Sequence, residues 1–129
     1  MRNNGVEKKI MIVDDDPDIL ISIREIFERR GYEVFTVDSG MDCIKELENG
    51  FKGIILIDIM MPFMDGWETI EKIKNKGLIK NVVISILTAN GTVAEYEKLR
   101  SLQPYIYDYI TKPFDIQKLI SNVNNIVAS

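Results

Sequence analysis

Residues 53–62 read GIILIDIMMP, in which four consecutive apolar side chains lead directly into one carboxylate, Asp58. Apolar runs this short, uninterrupted by charge and separated by helix-length segments, are typical of strands in a parallel sheet that is buried on both faces. Residues 10–13 and residues 82–87 have the same character. The pattern predicts a fold in which strands and helices alternate along the chain.

The remaining segments complete five strand–helix units. Residues 32–37 and 105–111 are rich in β-branched and aromatic side chains and predict two more strands, the first of them an edge strand. Amphipathic stretches predict five helices, at about 17–30, 39–50, 65–76, 91–102 and 115–127. With right-handed crossovers and helices on both faces, we expect a doubly wound, flavodoxin-like parallel sheet of order 2-1-3-4-5 in a single domain, residues 1–129.

Polar side chains follow four of these strands. They are the carboxylates of Asp14, Asp15 and Asp58, the hydroxyl of Thr88 and the ammonium of Lys112. Ligand sites of such sheets lie outside the carboxyl ends of the strands. Because the expected order places strands one and three side by side, the three carboxylates are predicted to share one pocket.

Three carboxylates in one pocket need a cation. Two of them about 4 Å apart repel by roughly 4 kcal/mol at an effective dielectric constant of about 20. The chain has no histidine, and its single cysteine, Cys43, is predicted to be a buried apolar residue. All-oxygen ligation favours Mg²⁺. Asp16, in contrast, is predicted to cap the first helix.

The same pocket is suited to phosphoryl chemistry. A carboxylate beside a metal, an ammonium and a hydroxyl is arranged to attack phosphorus and form an aspartyl phosphate. The metal and Lys112 would offset the charge on the transferring oxygens. Asp58 ends the most apolar strand and is the favoured nucleophile, with a turn or helix-cap role as the alternative.

Composition excludes several other classes of protein. The formal net charge of −4 argues against direct nucleic-acid binding, and the absence of histidine excludes Ser-His-Asp and Cys-His catalysis as well as a phosphohistidine donor. One cysteine permits no internal disulfide, and we find neither a signal peptide nor a membrane-spanning stretch. We therefore expect a cytoplasmic protein with no membrane partner.

Four motifs, in order at the strand ends, resemble the receiver domain of two-component response regulators. They are residues 12–16 (IVDDD), residues 56–62 (LIDIMMP) with Asp65-Gly66, residues 87–89 (LTA) and residues 109–114 (YITKPF). The resemblance covers essentially the whole chain. It implies a phosphorylation-dependent signalling switch that is not an enzyme beyond catalysing its own phosphorylation and slow dephosphorylation.

The resemblance also implies a role for each site residue. Asp58 would accept a phosphoryl group from a phosphohistidine of a sensor kinase or phosphotransfer protein. Asp15 would bind Mg²⁺ directly, Asp14 through water, Asp58 through its carboxylate and Met60 through its backbone carbonyl. Lys112 would bind the phosphate.

A switch is implied as well. Thr88 would move to hydrogen-bond the phosphate, Tyr109 would turn inward, and the Lys112–Pro113 bond would be cis. The output would be binding of a downstream protein, or self-association, through the face of the fourth helix, fifth strand and fifth helix.

Residues 101–107 (SLQPYIY) depart from the family pattern, which usually carries a Gly-Ala pair before the fifth strand. Tyr105, Ile106 and Tyr107 could form a recognition patch, but their alternation favours strand core.

Three alternatives to a stand-alone switch remain. One is a metal-dependent phosphatase or phosphotransferase, which usually needs a second Asp where Met60 stands. Another is a flavodoxin-like nucleotide binder, and the third is a receiver fragment of a larger hybrid kinase or regulator.

Overall fold

A five-stranded parallel sheet organises the protein. The computed structural model describes residues 8–89 and 100–128. The strands in these ranges are β1 (Lys9–Val13), β2 (Glu33–Val37), β3 (Gly53–Asp58), β4 (Val82–Thr88) and β5 (Ile106–Thr111). They lie in the order β2-β1-β3-β4-β5, and every neighbouring pair is parallel. The predicted fold class and strand order are confirmed.

Helices connect the strands. They are α1 (Pro17–Glu28), α2 (Gly40–Glu48), α3 (Gly66–Asn75), α4, described over residues 100–102, and α5 (Ile116–Ala128). The side chains of Asp16, Ser39 and Asp65 cap the first three helices by accepting a backbone N–H of the first turn. The predicted capping role of Asp16 is confirmed, whereas most of the helix predicted at 91–102 lies outside the described residues.

Each face of the sheet carries its own apolar core. On one face α1 and α5 contribute Ile23, Phe27, Leu119 and Val123 to one cluster of buried side chains. On the other face α2 and α3 contribute side chains that include Cys43, Leu47, Ile70 and Ile73. All six residues of β3 are buried because this strand lies in the middle of the sheet with helices on both sides.

The edge strand β5 corrects one prediction. Tyr105 and Ile106 are half-buried and pack against the α2–α3 core, but Tyr107 is 48% exposed. The ladder between β4 and β5 shifts register after Ile84, so that Ile84 is paired with Ile106 and Ser85 with Asp108. Tyr107 is therefore the extra residue of a bulge and does not belong to the strand core.

In the described ranges, no helix combines the length and the apolar character that crossing a bilayer requires.

Gly66 fixes how closely the start of α3 approaches the end of β3. Its backbone N–H donates to the carbonyl oxygen of Ile59 at 2.9 Å. A Cβ atom at this position would lie 2.6 Å from the carbonyl oxygen of Asp58 and 2.8 Å from the Cα atom of Ile59. Both contacts are with backbone, which cannot rotate away as a flexible side chain could.

We expect Gly66→Ala to lower the free energy of unfolding by about 1–3 kcal/mol, because the new methyl group overpacks the loop after Asp58. The amide resonances of Ile59 and Met60 should shift as well. Gly77→Ala is the control, since Gly77 has open space but a φ of +74°. Gly77→Ala should lower the free energy of unfolding by about 1–2 kcal/mol, because alanine is disfavoured at a positive φ, and it should leave the resonances of Ile59 and Met60 unchanged. Unchanged stability and resonances in Gly66→Ala would contradict this packing.

Candidate functional site

Three carboxylates converge at the carboxyl edge of the sheet. Asp14 and Asp15 follow β1, and Asp58 ends β3, the neighbouring strand. One carboxylate oxygen from each lies within 4.8 Å of the others. Asp14 is fully buried and Asp58 nearly so, whereas Asp15 is exposed at the mouth. The sequence prediction that these residues share a pocket agrees with this geometry.

Lys112 reaches the same pocket from the end of β5. Its Nζ donates to Oδ2 of Asp14 at 2.9 Å and lies 3.3 Å from Oδ2 of Asp58. The backbone N–H of Lys112 donates to the carbonyl oxygen of Thr88 at 2.8 Å, which ties the ends of β4 and β5 together. The family resemblance assigns Lys112 to a phosphate, whereas in this structure it pairs with two carboxylates.

Backbone donors orient the two buried carboxylates. The N–H of Met60 donates to Oδ1 of Asp58 at 3.0 Å, and the N–H of Asp16 donates to Oδ1 of Asp14 at 2.9 Å. Each buried carboxylate therefore has one oxygen held by the backbone and the other facing Lys112. Such contacts fix side-chain orientation before any ligand binds.

Burial raises the pKa of Asp58, and the negative charge of Asp14 raises it further. The Met60 N–H and the Lys112 ammonium act in the opposite direction without cancelling the rise. For Lys112, burial alone would lower the pKa, but the hydrogen bond to Asp14 and the charges of both carboxylates reverse this, so that its pKa is raised. Lys112 is therefore held in its charged form.

The donor set suits a divalent cation. Among the described residues, the Lys112 ammonium contacts two of the three carboxylates, so that three negative charges face one positive charge. All the available ligand atoms are oxygens, and one carboxylate faces solvent. Hard cations such as Mg²⁺ bind carboxylate oxygens while keeping several waters, which such a half-open cluster permits.

The remaining predicted residues surround this pocket in different ways. Thr88 ends β4 and is half-buried, and Tyr109, on β5, is 38% exposed. The Lys112–Pro113 bond is cis, as predicted. The side chain of Met60 is 66% exposed and does not fill the pocket.

Gly66 is the residue whose importance sequence reasoning missed. In the sequence it stands out only as part of the Asp65-Gly66 motif, although its missing side chain lets α3 approach the backbone of Asp58. The sequence signal for this close approach is a glycine directly after the capping residue Asp65. Because a helix start does not by itself require glycine at that position, its presence indicates a packing constraint.

Comparison with known proteins identifies relatives of the entire fold. A model of the response regulator receiver domain family matches residues 10–124. The crystal structure of a CheY-like response regulator receiver domain protein from Methanospirillum hungatei JF-1 is 43% identical, with a TM-score of 0.85 over 94% of this chain and 95% of that one.

Two further relatives bear on the site. The response regulator protein TrrA of Thermotoga maritima, crystallised with Mg²⁺-BeF, is 29% identical, with a TM-score of 0.77 over 93% of this chain and 99% of that one. The alkaline phosphatase synthesis transcriptional regulatory protein PhoP of Bacillus subtilis is 31% identical over 95% of this chain and 49% of its own length. The chain spans about half the length of the curated relatives it matches.

The raised pKa of Asp58 predicts a pH-dependent instability of the metal-free protein. A carboxyl group whose pKa is higher in the folded state contributes stability below its unfolded pKa, about 4, and that contribution is lost as the pH rises through the folded pKa. In chelator, Asp58→Asn should therefore raise the unfolding free energy at pH 7.5 and less at pH 4.5. Urea unfolding of both proteins at the two pH values measures this difference.

Asp16→Asn is the matched control, because asparagine caps a helix as well as aspartate does and Asp16 is exposed. It should change stability less than Asp58→Asn does at pH 7.5. The electrostatic account would be contradicted if Asp58→Asn raised the free energy of unfolding equally at the two pH values, or lowered it at pH 7.5.

Proposed function

The chain belongs to the family of response regulator receiver domains, and from this premise we propose that Asp58 accepts the phosphoryl group that switches it. The single observation that carries the proposal is the meeting of Asp14, Asp15 and Asp58 with Lys112 at one edge of the sheet. Family membership supports a signalling function, and the acidic pocket fits a phosphoryl-accepting site.

In the proposed step an oxygen of Asp58 attacks the phosphorus of a phosphohistidine in a kinase or phosphotransfer protein. The new O–P bond forms as the P–N bond of the donor breaks, and the imidazole leaves with the bonding electron pair. Oδ1 of Asp58 is held by the Met60 N–H at 3.0 Å, whereas the contact of Oδ2 with Lys112 is longer, at 3.3 Å. We assign the attack to Oδ2 for this reason.

Lys112 has two successive tasks in this proposal. Before transfer it offsets the charges of Asp14 and Asp58, which keeps a nucleophilic carboxylate available in a buried site. After transfer the Asp58 oxygen carries a phosphoryl group with its own negative oxygens, and the Lys112 ammonium is within reach to bind them.

Asp14, Asp15, Asp58 and the backbone carbonyl of Met60 are the proposed ligands of Mg²⁺. The ion would supply positive charge to the phosphoryl oxygens during transfer. The burial of Asp14 and its bond to Lys112 support binding through an intervening water, while the exposed Asp15 is free to bind directly. The crystallisation of TrrA with Mg²⁺-BeF is consistent with this assignment.

The proposed switch uses Thr88 and Tyr109. Thr88 lies at the pocket end of β4, and its carbonyl oxygen is bonded to the N–H of Lys112. A shift of Thr88 toward a phosphate on Asp58 would disturb the contact between β4 and β5 and let the exposed Tyr109 ring turn inward. The surface of α4, β5 and α5 would then change its affinity for a downstream protein or a second copy.

We further propose that the domain acts in the cytoplasm, binds no nucleic acid directly, and catalyses only its own phosphorylation and dephosphorylation. Residues 1–129 would form one receiver domain.

Acetyl phosphate with Mg²⁺ should add one phosphoryl group to Asp58, detected as a mass gain on the intact protein and located by peptide mapping after borohydride reduction. Asp58→Asn should abolish the gain, because an amide oxygen does not form the acyl phosphate. Asp16→Asn should be labelled as wild type. Equal labelling of Asp58→Asn, or undiminished labelling in chelator, would contradict the mechanism.

Mg²⁺ should raise the melting temperature, since it binds the folded pocket and adds about 2.7 kcal/mol of stability at one hundred times its Kd. Asp15→Asn should melt at a higher temperature than wild type without metal, because repulsion is relieved, and should lose most of the response to Mg²⁺. Asp18→Asn, on the exposed first turn of α1, is the control. A full metal response in Asp15→Asn would remove this residue as a direct ligand.

A further inference from the structure

An open groove lies at the opposite end of the sheet from the acidic pocket. It has a volume of about 480 Å³ and is formed where β4 and β5 begin. Its apolar lining includes Ile79, Val82 and Ile106. The pocket with Asp58 lies at the other ends of the same strands, beside Thr88 and Lys112. A ligand in the groove would therefore leave the acidic pocket accessible.

Aromatic and cationic side chains frame this groove. Tyr105, Tyr107 and Lys80 line it, and the Lys74 ammonium lies 5.4 Å from the centroid of the Tyr105 ring. Within residues 8–89 and 100–128, neither lysine has a carboxylate partner, and no acidic residue lines the groove. Such a surface attracts anions, although the whole chain carries a net charge of −4.

A second groove of similar size has a lining of the opposite charge. That groove, of about 450 Å³ between α1 and α2, is lined by Asp38, Asp42 and Glu46, with Lys45 as the single cation. Its charge is the reverse of that at the start of β4 and β5. The local excess of lysine is thus a feature of the first groove only, among these two.

The exposure of Tyr107 results from the bulge in β5. Because Ile106 is paired with Ile84 and Asp108 with Ser85, Tyr107 has no partner in the ladder and its ring is directed out of the core, into the groove lining. Bulges at sheet edges commonly redirect a side chain toward a binding surface. The bulge lies in the segment 101–107, where the sequence departs from the family pattern.

We propose that this groove binds an acidic peptide segment of a partner protein, one that carries apolar or aromatic side chains between its carboxylates. The apolar floor would take the apolar side chains, and Lys74 and Lys80 would pair with the carboxylates. The groove is open rather than enclosed, which suits an extended peptide better than a small molecule that must be mostly surrounded. The half-buried Tyr105 and the exposed Tyr107 beside an apolar centre match the aromatic enrichment of protein-binding surfaces.

An NMR titration of the ¹⁵N-labelled full chain tests the proposal. The probe is the acetylated, amidated peptide Glu-Leu-Asp-Phe-Glu-Leu, and the control peptide is Gln-Leu-Asn-Phe-Gln-Leu. The acidic peptide should shift amide resonances in residues 79–84 and 105–107, and its affinity should fall at high salt. The control peptide should bind at least about tenfold more weakly, a loss of about 1.4 kcal/mol.

Surface variants separate the contribution of charge to peptide binding from that of the aromatic ring. Lys80→Glu should weaken the acidic peptide about tenfold or more through like-charge repulsion, and Tyr107→Ser should weaken both peptides. Lys118→Glu, an equal charge change on exposed α5, should have no effect on the shifts in the groove. Thermal unfolding of each variant confirms that it is folded, which is expected because both Lys80 and Tyr107 are exposed.

Four results would overturn the proposal. The first is equal binding of the acidic and neutral peptides, and the second is unchanged binding by Lys80→Glu. The third is a set of shifts outside the groove. The fourth is tighter binding of adenosine monophosphate than of the acidic peptide in the groove, which would assign the site to a nucleotide. None of these results depends on phosphorylation of Asp58, so the proposed function is tested separately.

Discussion

The confinement of three carboxylates beside the Lys112 ammonium is the constraint on which the site depends. A parallel sheet brings the carboxyl ends of its strands to one edge, so Asp14 and Asp58 meet because β1 and β3 are neighbours. Lys112 reaches both from β5 and offsets part of their repulsion. The folded pocket keeps an excess of negative charge, and its affinity for cations follows from that excess.

The same constraint links the site to the rest of the fold. Lys112 is joined through its backbone to the end of β4 and through its side chain to the ends of β1 and β3. A change in charge at Asp58 therefore acts on three strands at once. Of the strands that Lys112 connects, β5 is the most exposed. It is an edge strand with an irregular pairing to β4, so we expect a change in charge at Asp58 to alter the protein surface at β5.

The strands and the site residues at their ends were predictable from sequence. Burial of a strand on both faces imposes a continuous apolar run, and the end of such a run marks the end of the strand. The positions of Asp14, Asp58 and Lys112 at one edge follow from that pattern and the strand order. The pairing of Lys112 with Asp14 was not predictable, since the partner of a long side chain depends on which groups lie near it in the folded protein. Tyr107 lies outside the strand core because it is the extra residue of a bulge, and periodicity does not reveal a bulge. The close approach at Gly66 likewise exists only after α3 has packed.

The central claim is that the acidic pocket is built to hold a phosphoryl group on Asp58 with a cation beside it. A crystal structure of the protein grown with Mg²⁺ and beryllofluoride tests this most directly. The account predicts beryllium bonded to an Asp58 oxygen, fluorine within hydrogen-bond distance of the Lys112 ammonium, and Mg²⁺ bound to carboxylate oxygens of Asp15 and Asp58. Beryllofluoride bound elsewhere, or a pocket in which Lys112 still pairs with Asp58 and no cation is present, would contradict it.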